Sequence, residues 1–167
     1  MQLNVEITKI VEEDIPGLTR AMSRAFDDDA RKYLGRDKGG PKGYDNGDFF
    51  RKWLFSYDEC EGYKIVANGE IVGGTLVWLA KDNNNIWGNV FVDPAWQNKG
   101  VGTRAWEFIE RCYPAARSWT LNTPGYATGN HKFYEKLGFE RIREEDTTDH
   151  PGKSFIYRKM MVKKTDQ

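Results

Sequence analysis

The chain has 167 residues and sets 25 Lys and Arg against 25 Asp and Glu, a formal net charge of zero. That balance leaves no broad basic field to draw nucleic acid or an anionic membrane surface, and no apolar run is long enough to cross a bilayer. The length fits a single domain, 1–167, able to bury its own core, while Cys60 and Cys112, far apart and in no Cys-x-x-Cys arrangement, read as reduced thiols of a cytoplasmic protein.

Leu3 to Ile10 alternates apolar and polar residues, which predicts a half-buried first strand. A helix follows, with Asp14 placed to cap it, Pro16 in its first turn, and Leu18, Met22, Ala25 and Phe26 along one face. From Asp27 to Asp48 the pattern breaks into acids and glycines. A mobile loop is expected there, with Asp27, Asp28 and Asp29 solvated like most loop charges. Phe49, Phe50, Trp53, Leu54 and Tyr57 then recur at three and four, predicting a second amphipathic helix.

Tyr63 to Ala67 and Glu70 to Leu79 flank Asn68-Gly69, the dipeptide of a tight hairpin turn. The second run is almost continuously apolar, as in a central strand covered on both faces, and Gly73-Gly74 within it marks a bulge or a close approach. Lys81 to Asn85 turns the chain into a strand that ends in Val90, Phe91 and Val92 and is stopped by Asp93-Pro94. Apolar residues recur at helical spacing from Val101, so Gln97 to Gly102 is a strand-to-helix turn. Helix N-termini carry unpaired N–H groups and a partial positive charge, and Gly100 and Gly102 would let a phosphate approach the main chain.

On that helix Val101, Ala105, Phe108, Ile109 and Cys112 form the apolar stripe, with Arg104, Glu107 and Arg111 outside and the last two spaced to pair. Pro114 ends it. Ser118 to Thr123 is the next strand, and a loop with Pro124, Gly125 and Gly129 leads to a short helix from about Asn130 to Leu137. Gly138 ends this helix, and Phe139 can fold back on Phe133 or Tyr134. Glu140 to Glu145 and Phe155 to Met161 form a closing hairpin across His150-Pro151-Gly152. His131 and His150 have no Cys or acid partners at ligand spacing, so no metal is expected and both are placed at the surface.

Gly100-x-Gly102-x-x-Ala105 fits the loose dinucleotide fingerprint, but the glycines lie past mid-chain and the next strand brings no carboxylate for a ribose hydroxyl. A nicotinamide-dependent oxidoreductase is therefore disfavoured. Gln97-x-x-Gly100-x-Gly102 instead resembles the Arg/Gln-x-x-Gly-x-Gly/Ala pyrophosphate loop of the GCN5-related N-acetyltransferase (GNAT) superfamily. Asn130-His-Lys-Phe133-Tyr134-Glu-Lys-Leu-Gly138-Phe139 resembles the same superfamily's helix signature, with its Tyr one residue before Glu-Lys-Leu. The two motifs stand at the separation expected in that family.

The resemblance implies an α+β, three-layer fold, a mixed and mostly antiparallel central sheet of about seven strands flanked by about four helices. It implies acetyl-CoA as co-substrate. Backbone groups of Phe91 and Val92 would bind the pantetheine arm as an added strand, and N–H groups of Gln97, Asn98, Lys99, Gly100, Val101, Gly102 and Thr103 would carry the diphosphate. Asn130 would contact the cofactor near its pantetheine portion, Phe133 would pack beside it, and Tyr134 would sit by the sulfur. Tyrosine, with an ordinary pKa of about 10, can give its proton to a leaving thiolate at neutral pH.

The implied activity is acetyl transfer to a primary amine, on a small molecule or a peptide, by direct attack on the thioester. In that superfamily the helix-loop-helix region forms one wall of the acceptor pocket, which would turn the aromatics of the second helix and Asp27, Asp28 and Asp29 toward substrate, and the acidic run leans toward a cationic acceptor. Many members place a Glu on the strand before the phosphate loop, whereas this strand offers Asn89 and no carboxylate before Asp93. That departure supports an alternative, a non-catalytic acyl-CoA-binding or regulatory domain of the same fold. A homodimer is compatible with the resemblance, although no residue argues for one.

Overall fold

Asn68 and Gly69 both take positive φ, 52° and 78°, the pair of left-handed residues that a two-residue hairpin turn requires. They join β2 (Cys60–Ala67) to β3 (Glu70–Trp78), and the sheet grows outward from this hairpin. The computed structural model describes residues 4–162, so Leu3 of the first expected strand lies outside the described residues. In chain order the remaining strands and α-helices are β1 (Val5–Lys9), α1 (Ile15–Leu34), α2 (Asp48–Trp53), β4 (Asn84–Val92), α3 (Val101–Cys112), β5 (Ser118–Pro124), α4 (Thr128–Lys136), β6 (Glu140–Asp146) and β7 (Lys153–Met160). Seven strands form one sheet in the order β1-β2-β3-β4-β5-β7-β6. Only β4 and β5 run parallel.

The helices cover both faces, as the nearly unbroken burial of β3 from Val72 to Val77 demands. On one face Leu18, Met22 and Ala25 of α1 and Phe49 and Phe50 of α2 pack with Leu76 and Phe91. On the other, Trp106 and Ile109 of α3, Tyr134 of α4 and Phe139 enclose Val77, Trp87 and Trp119. Trp106 and Trp119 are 2% and 0% exposed, their rings edge to face at 5.9 Å.

Two irregularities shape β3 and β4. Ile65 pairs with Gly73 but Val66 with Ile71, which leaves Val72 as an extra residue. Leu76 pairs with Asn89 but Val77 with Trp87, which leaves Gly88 as a second. Each bulge shifts the alternation by one, so Trp87 and Phe91 lie on opposite faces. Gly73 and Gly74 lie beside the first bulge and also permit a close approach, since a Cβ on Gly73 would collide with the Phe91 carbonyl oxygen and one on Gly74 would lie 2.7 Å from the Phe91 ring.

Several local expectations are corrected. Helix α1 runs on to Leu34, so Asp27, Asp28 and Asp29 are helical, and the irregular segment shrinks to residues 35–47. The cause is Ala25, Phe26 and Ala30, which keep the apolar stripe going. Asp14 gives α1 no side-chain cap. Its carboxylate accepts from the Val11 N–H at 2.8 Å and pairs with Lys64 at 2.8 Å. Helix α2 stops at Trp53, leaving Tyr57 45% exposed but stacked on Trp53. On α3 the buried residues are Val101, Ala105, Trp106 and Ile109, while Phe108 is half-buried and Cys112 exposed, and no Glu107–Arg111 ion pair occurs among the described residues.

Candidate active site

Parallel pairing of β4 with β5 lasts only from Asn84, Asn85 and Ile86 to Ser118, Trp119 and Thr120. Beyond Ile86 the strands diverge, beginning at the Gly88 bulge, and the β5-facing edge of β4 has no strand partner through Val92. The divergence opens the middle of the sheet. Two cavities of about 590 Å³ each meet there, sharing Phe26 and Asp29 of α1, Gly88 and Asn89 of β4, Asn122 and Pro124 of β5, and Asn130 of α4.

The first cavity runs along the free edge of β4 to the start of α3. Of the residues expected at a cofactor, Phe91, Val92, Gln97, Asn98, Gly100, Val101, Gly102, Thr103, Asn130 and Phe133 all line it, as does Tyr134, whereas the Lys99 side chain does not. The turn between strand and helix is built by its own sequence. Asp93 accepts from the Ala95 N–H at 2.9 Å and pairs with Arg24 of α1 at 3.4 Å, and the Gln97 amide donates to the Val92 carbonyl at 2.9 Å. Asn98 and Gly100 sit at φ 60° and 84°, left-handed values that asparagine and glycine tolerate.

With the loop held this way, the N–H groups of Asn98, Lys99, Gly100, Val101, Gly102 and Thr103 have no acceptor among the described residues. Successive free N–H groups at a left-handed turn and a helix N-terminus make a concave anion site. The Gln97 N–H is the exception, being occupied by Pro94 O at 3.3 Å. The two glycines have different reasons. Space is open in front of Gly100, while a Cβ on Gly102 would lie 2.9 Å from the Phe133 ring. Gly102 thus admits an aromatic side chain as well as sparing the helix entrance a side chain of its own.

Tyr134 is 9% exposed, its ring 5.7 Å from Trp87 and 6.2 Å from both Phe139 and Tyr157. Its hydroxyl makes no hydrogen bond with another described residue. Burial pushes the phenol well above its ordinary value, and the charge of Asp29 adds to the rise, so it holds its proton throughout the neutral range. The Phe139 N–H bonds to the Tyr134 carbonyl at 3.1 Å after Gly138 turns the chain at φ 96°, fixing α4 under the sheet.

The second cavity lies between α1, α2, the segment 35–47 and the β6–β7 turn. Phe26, Phe49, Trp53, Trp78 and Tyr126 form its apolar walls, with Arg36, Asp149 and His150 among its polar groups. Asp29 is the residue at this junction that the pattern reading misplaced. It lies three after Phe26 and seven after Met22, so the continuing helical stripe carried the signal. Burial, then the neighbouring Asp28, raise its carboxyl to about 6, with Lys32 opposing.

Both histidines are less exposed than expected. His131 lies 4.9 Å from the Phe155 ring with Nε2 2.9 Å from Pro124 O, and His150 Nε2 lies 2.9 Å from the Ser154 hydroxyl. The described residues contain no group of three or more His, Cys, Asp or Glu able to hold a metal. Both thiols are free, and burial pushes the Cys60 thiol up to about 12. No helix among the described residues is long and apolar enough to cross a membrane.

Residues 59–141 match the acetyltransferase (GNAT) domain model. The uncharacterised protein YrkN of Bacillus subtilis strain 168 is 29% identical over 133 residues, spanning 78% of this chain and 70% of that one. An acetyltransferase of Thermus thermophilus superposes with a TM-score of 0.75 at 14% identity, covering 95% of this chain and 98% of the other. The ribosomal-protein-S18-alanine N-acetyltransferase of Escherichia coli reaches 0.73 at 15%, covering 98% and 97%. PaiA N-acetyltransferase of Thermoplasma acidophilum, solved with coenzyme A, reaches 0.72 at 16%, covering 95% and 100%. With the domain match centred on the splayed strands, the free N–H loop and the Tyr134 helix, residues 59–141 are those of a GNAT acetyltransferase domain, and the chain has the fold of those acetyltransferases.

Proposed function

We propose that the protein, acting as a single domain, transfers an acetyl group from acetyl-CoA to a primary amine by direct attack on the thioester. The observation that carries this reading is the meeting of two cavities at the splay, one leading to the free N–H groups of residues 98–103 and the other walled by aromatic side chains. Related folds hold the implied co-substrate or the thiol it leaves, acetyl-CoA in a GNAT family acetyltransferase of Elizabethkingia anophelis and coenzyme A in PaiA of Thermoplasma acidophilum.

In this reading the diphosphate rests on the N–H groups from Asn98 to Thr103, Lys99 contributing through its backbone. The edge at Phe91 and Val92, which no strand covers, takes the pantetheine arm through groups other than the Val92 carbonyl that Gln97 occupies, with Asn130 and Phe133 beside it. Gln97 braces the loop. The acetyl group then lies at the splay, where the amine enters from the second cavity. As the C–N bond forms and the C–S bond breaks, Tyr134 gives its phenol proton to the departing thiolate. Holding both reactants in one geometry supplies much of the acceleration. Free thiols and an acetyl-CoA requirement fit a cytoplasmic protein.

Calorimetric titration with acetyl-CoA tests this. Saturable binding is expected for the wild-type chain and loss of binding for Gly100→Asp, whose side chain would stand in the open space before the loop and repel the diphosphate. Absence of binding by the folded wild type would reject the reading. Binding without turnover on any amine would favour the non-catalytic alternative.

A further inference from the structure

The acidic run of α1 divides three ways. Asp27 is consumed by the following segment, accepting from the Tyr44 hydroxyl at 2.6 Å and the Gly39 N–H at 3.1 Å. Asp28 pairs with Arg31 at 4.0 Å. Asp29 has no hydrogen bond or ion pair with any described residue, and of the acids lining the two cavities it alone belongs to both, Asp149 lining the second only. Strand β4 supplies Asn89 at this junction and no carboxylate. An unpartnered carboxylate at the point where both reactants must meet has a chemical use.

Resting on the acetyltransferase reading above, we propose that Asp29 anchors the ammonium of the acceptor and takes its proton, and that the acceptor is an amine carried on an aromatic or other flat apolar body. The second half follows from the walls. Trp53 and Trp78 lie edge to face at 5.7 Å and join Phe26, Phe49 and Tyr126 around a cavity of about 590 Å³, the size of a small-molecule site. A polyamine chain of similar length would offer these rings no flat apolar face to cover.

The step balances. The ammonium proton passes to the Asp29 carboxylate, and the freed nitrogen attacks the thioester carbonyl carbon. The C–N bond forms, the C–S bond breaks, and the thiolate takes the Tyr134 phenol proton. The proton shed by the nitrogen as the amide forms restores that phenol, and Asp29 releases its own proton to water. A carboxyl raised to about 6 is still ionised at neutral pH and is a better base than an ordinary aspartate. The groups that bear on it are Asp28 and Lys32 of α1, Tyr134 of α4 and Tyr126 of the preceding loop, with Arg36, Asp149 and His150 elsewhere in the cavity. The strand residues lining the two cavities include no charged or titratable group.

Wild type, Asp29→Asn, Asp29→Glu and His150→Gln are compared with 2-phenylethylamine and spermidine as acceptors, from about pH 5 to 9, together with calorimetric titration of acetyl-CoA and of 2-phenylethylamine. Acetyl-CoA should bind all four proteins. For 2-phenylethylamine, Asp29→Asn should lower kcat/KM by about 100-fold or more and abolish its rise with pH through about 6. Binding of that amine should weaken, Asp29→Glu should recover part of the rate, and His150→Gln should keep the acid limb. Asparagine activity within about threefold of wild type with the limb intact, at the precision of such rate comparisons, would overturn the role of Asp29. Preference for spermidine, or no binding of 2-phenylethylamine to the acetyl-CoA-bound wild type, would overturn the acceptor class. Wild type that does not bind acetyl-CoA would bring down the underlying reading as well.

Discussion

Tyr134 combines a phenol held protonated by burial with a ring wedged between Trp87, Phe139 and Tyr157. Those two properties separate under mutation. Tyr134→Phe keeps the ring and its packing, so the fold and the affinity for acetyl-CoA should persist while kcat for acetyl transfer falls by about 100-fold, the contribution typical of one general acid. An unchanged kcat would remove Tyr134 from the proton path. Because the phenol titrates above its ordinary value, any loss of rate below about pH 9 belongs to another group. Gly100 and Gly102 make the same point about residue identity: one leaves open the approach to the loop, the other makes room for Phe133, and a motif read as two equivalent glycines covers two different steric needs.

At the level of elements, the site is a defect in the sheet that the fold exploits. The Gly88 bulge and the end of β4–β5 pairing at Ile86 leave main-chain edge unpaired just where the helix entrance of α3 adds its free N–H groups. Segment 35–47, which walls the second cavity through Gly39, Gly40 and Pro41, is tied to α1 by Asp27 through Tyr44 and the Gly39 N–H. Asp27→Ala removes a charge-assisted hydrogen bond and should cost about 1–3 kcal/mol in urea denaturation. It should also raise KM for the acceptor and leave acetyl-CoA affinity unchanged, since the loop of residues 98–103 hangs on Asp93 and Gln97 instead. A parallel loss of acetyl-CoA binding would mean that α1 itself had shifted.

For the molecule as a whole, Asp29 is a liability to stability. Its folded pKa of about 6 lies above the unfolded value of 3.8, so the folded state binds the extra proton between those values. Stability from this group is therefore present below pH 3.8 and is lost as pH rises through about 6. Asp29→Asn should consequently raise Tm at pH 7.5 by about 2–4 °C, the shift that roughly 1 kcal/mol produces in a chain of this size, and should leave it nearly unchanged near pH 4. A lower Tm at both pH values would show the carboxylate to be structural. A stabilised but inactive variant is the signature of a strained functional group. Much of this molecule is legible without coordinates because the information is local. The Asn68-Gly69 hairpin, the Asp93-Pro94 stop, the Gly100 helix entrance and the Gly138 cap each follow from the φ and hydrogen-bonding limits of a few adjacent residues. The phosphate loop and the Tyr134 helix are readable as contiguous motifs for the same reason. The bulge at Gly88, the splay beyond Ile86, the burial of Trp106 and the placement of Asp29 were decided only in three dimensions. Each depends on what a distant strand or helix packs against it: the helical stripe points Asp29 inward, but that Asp29 is the carboxylate left without a partner is decided by Tyr44, Gly39 and Arg31, which take Asp27 and Asp28.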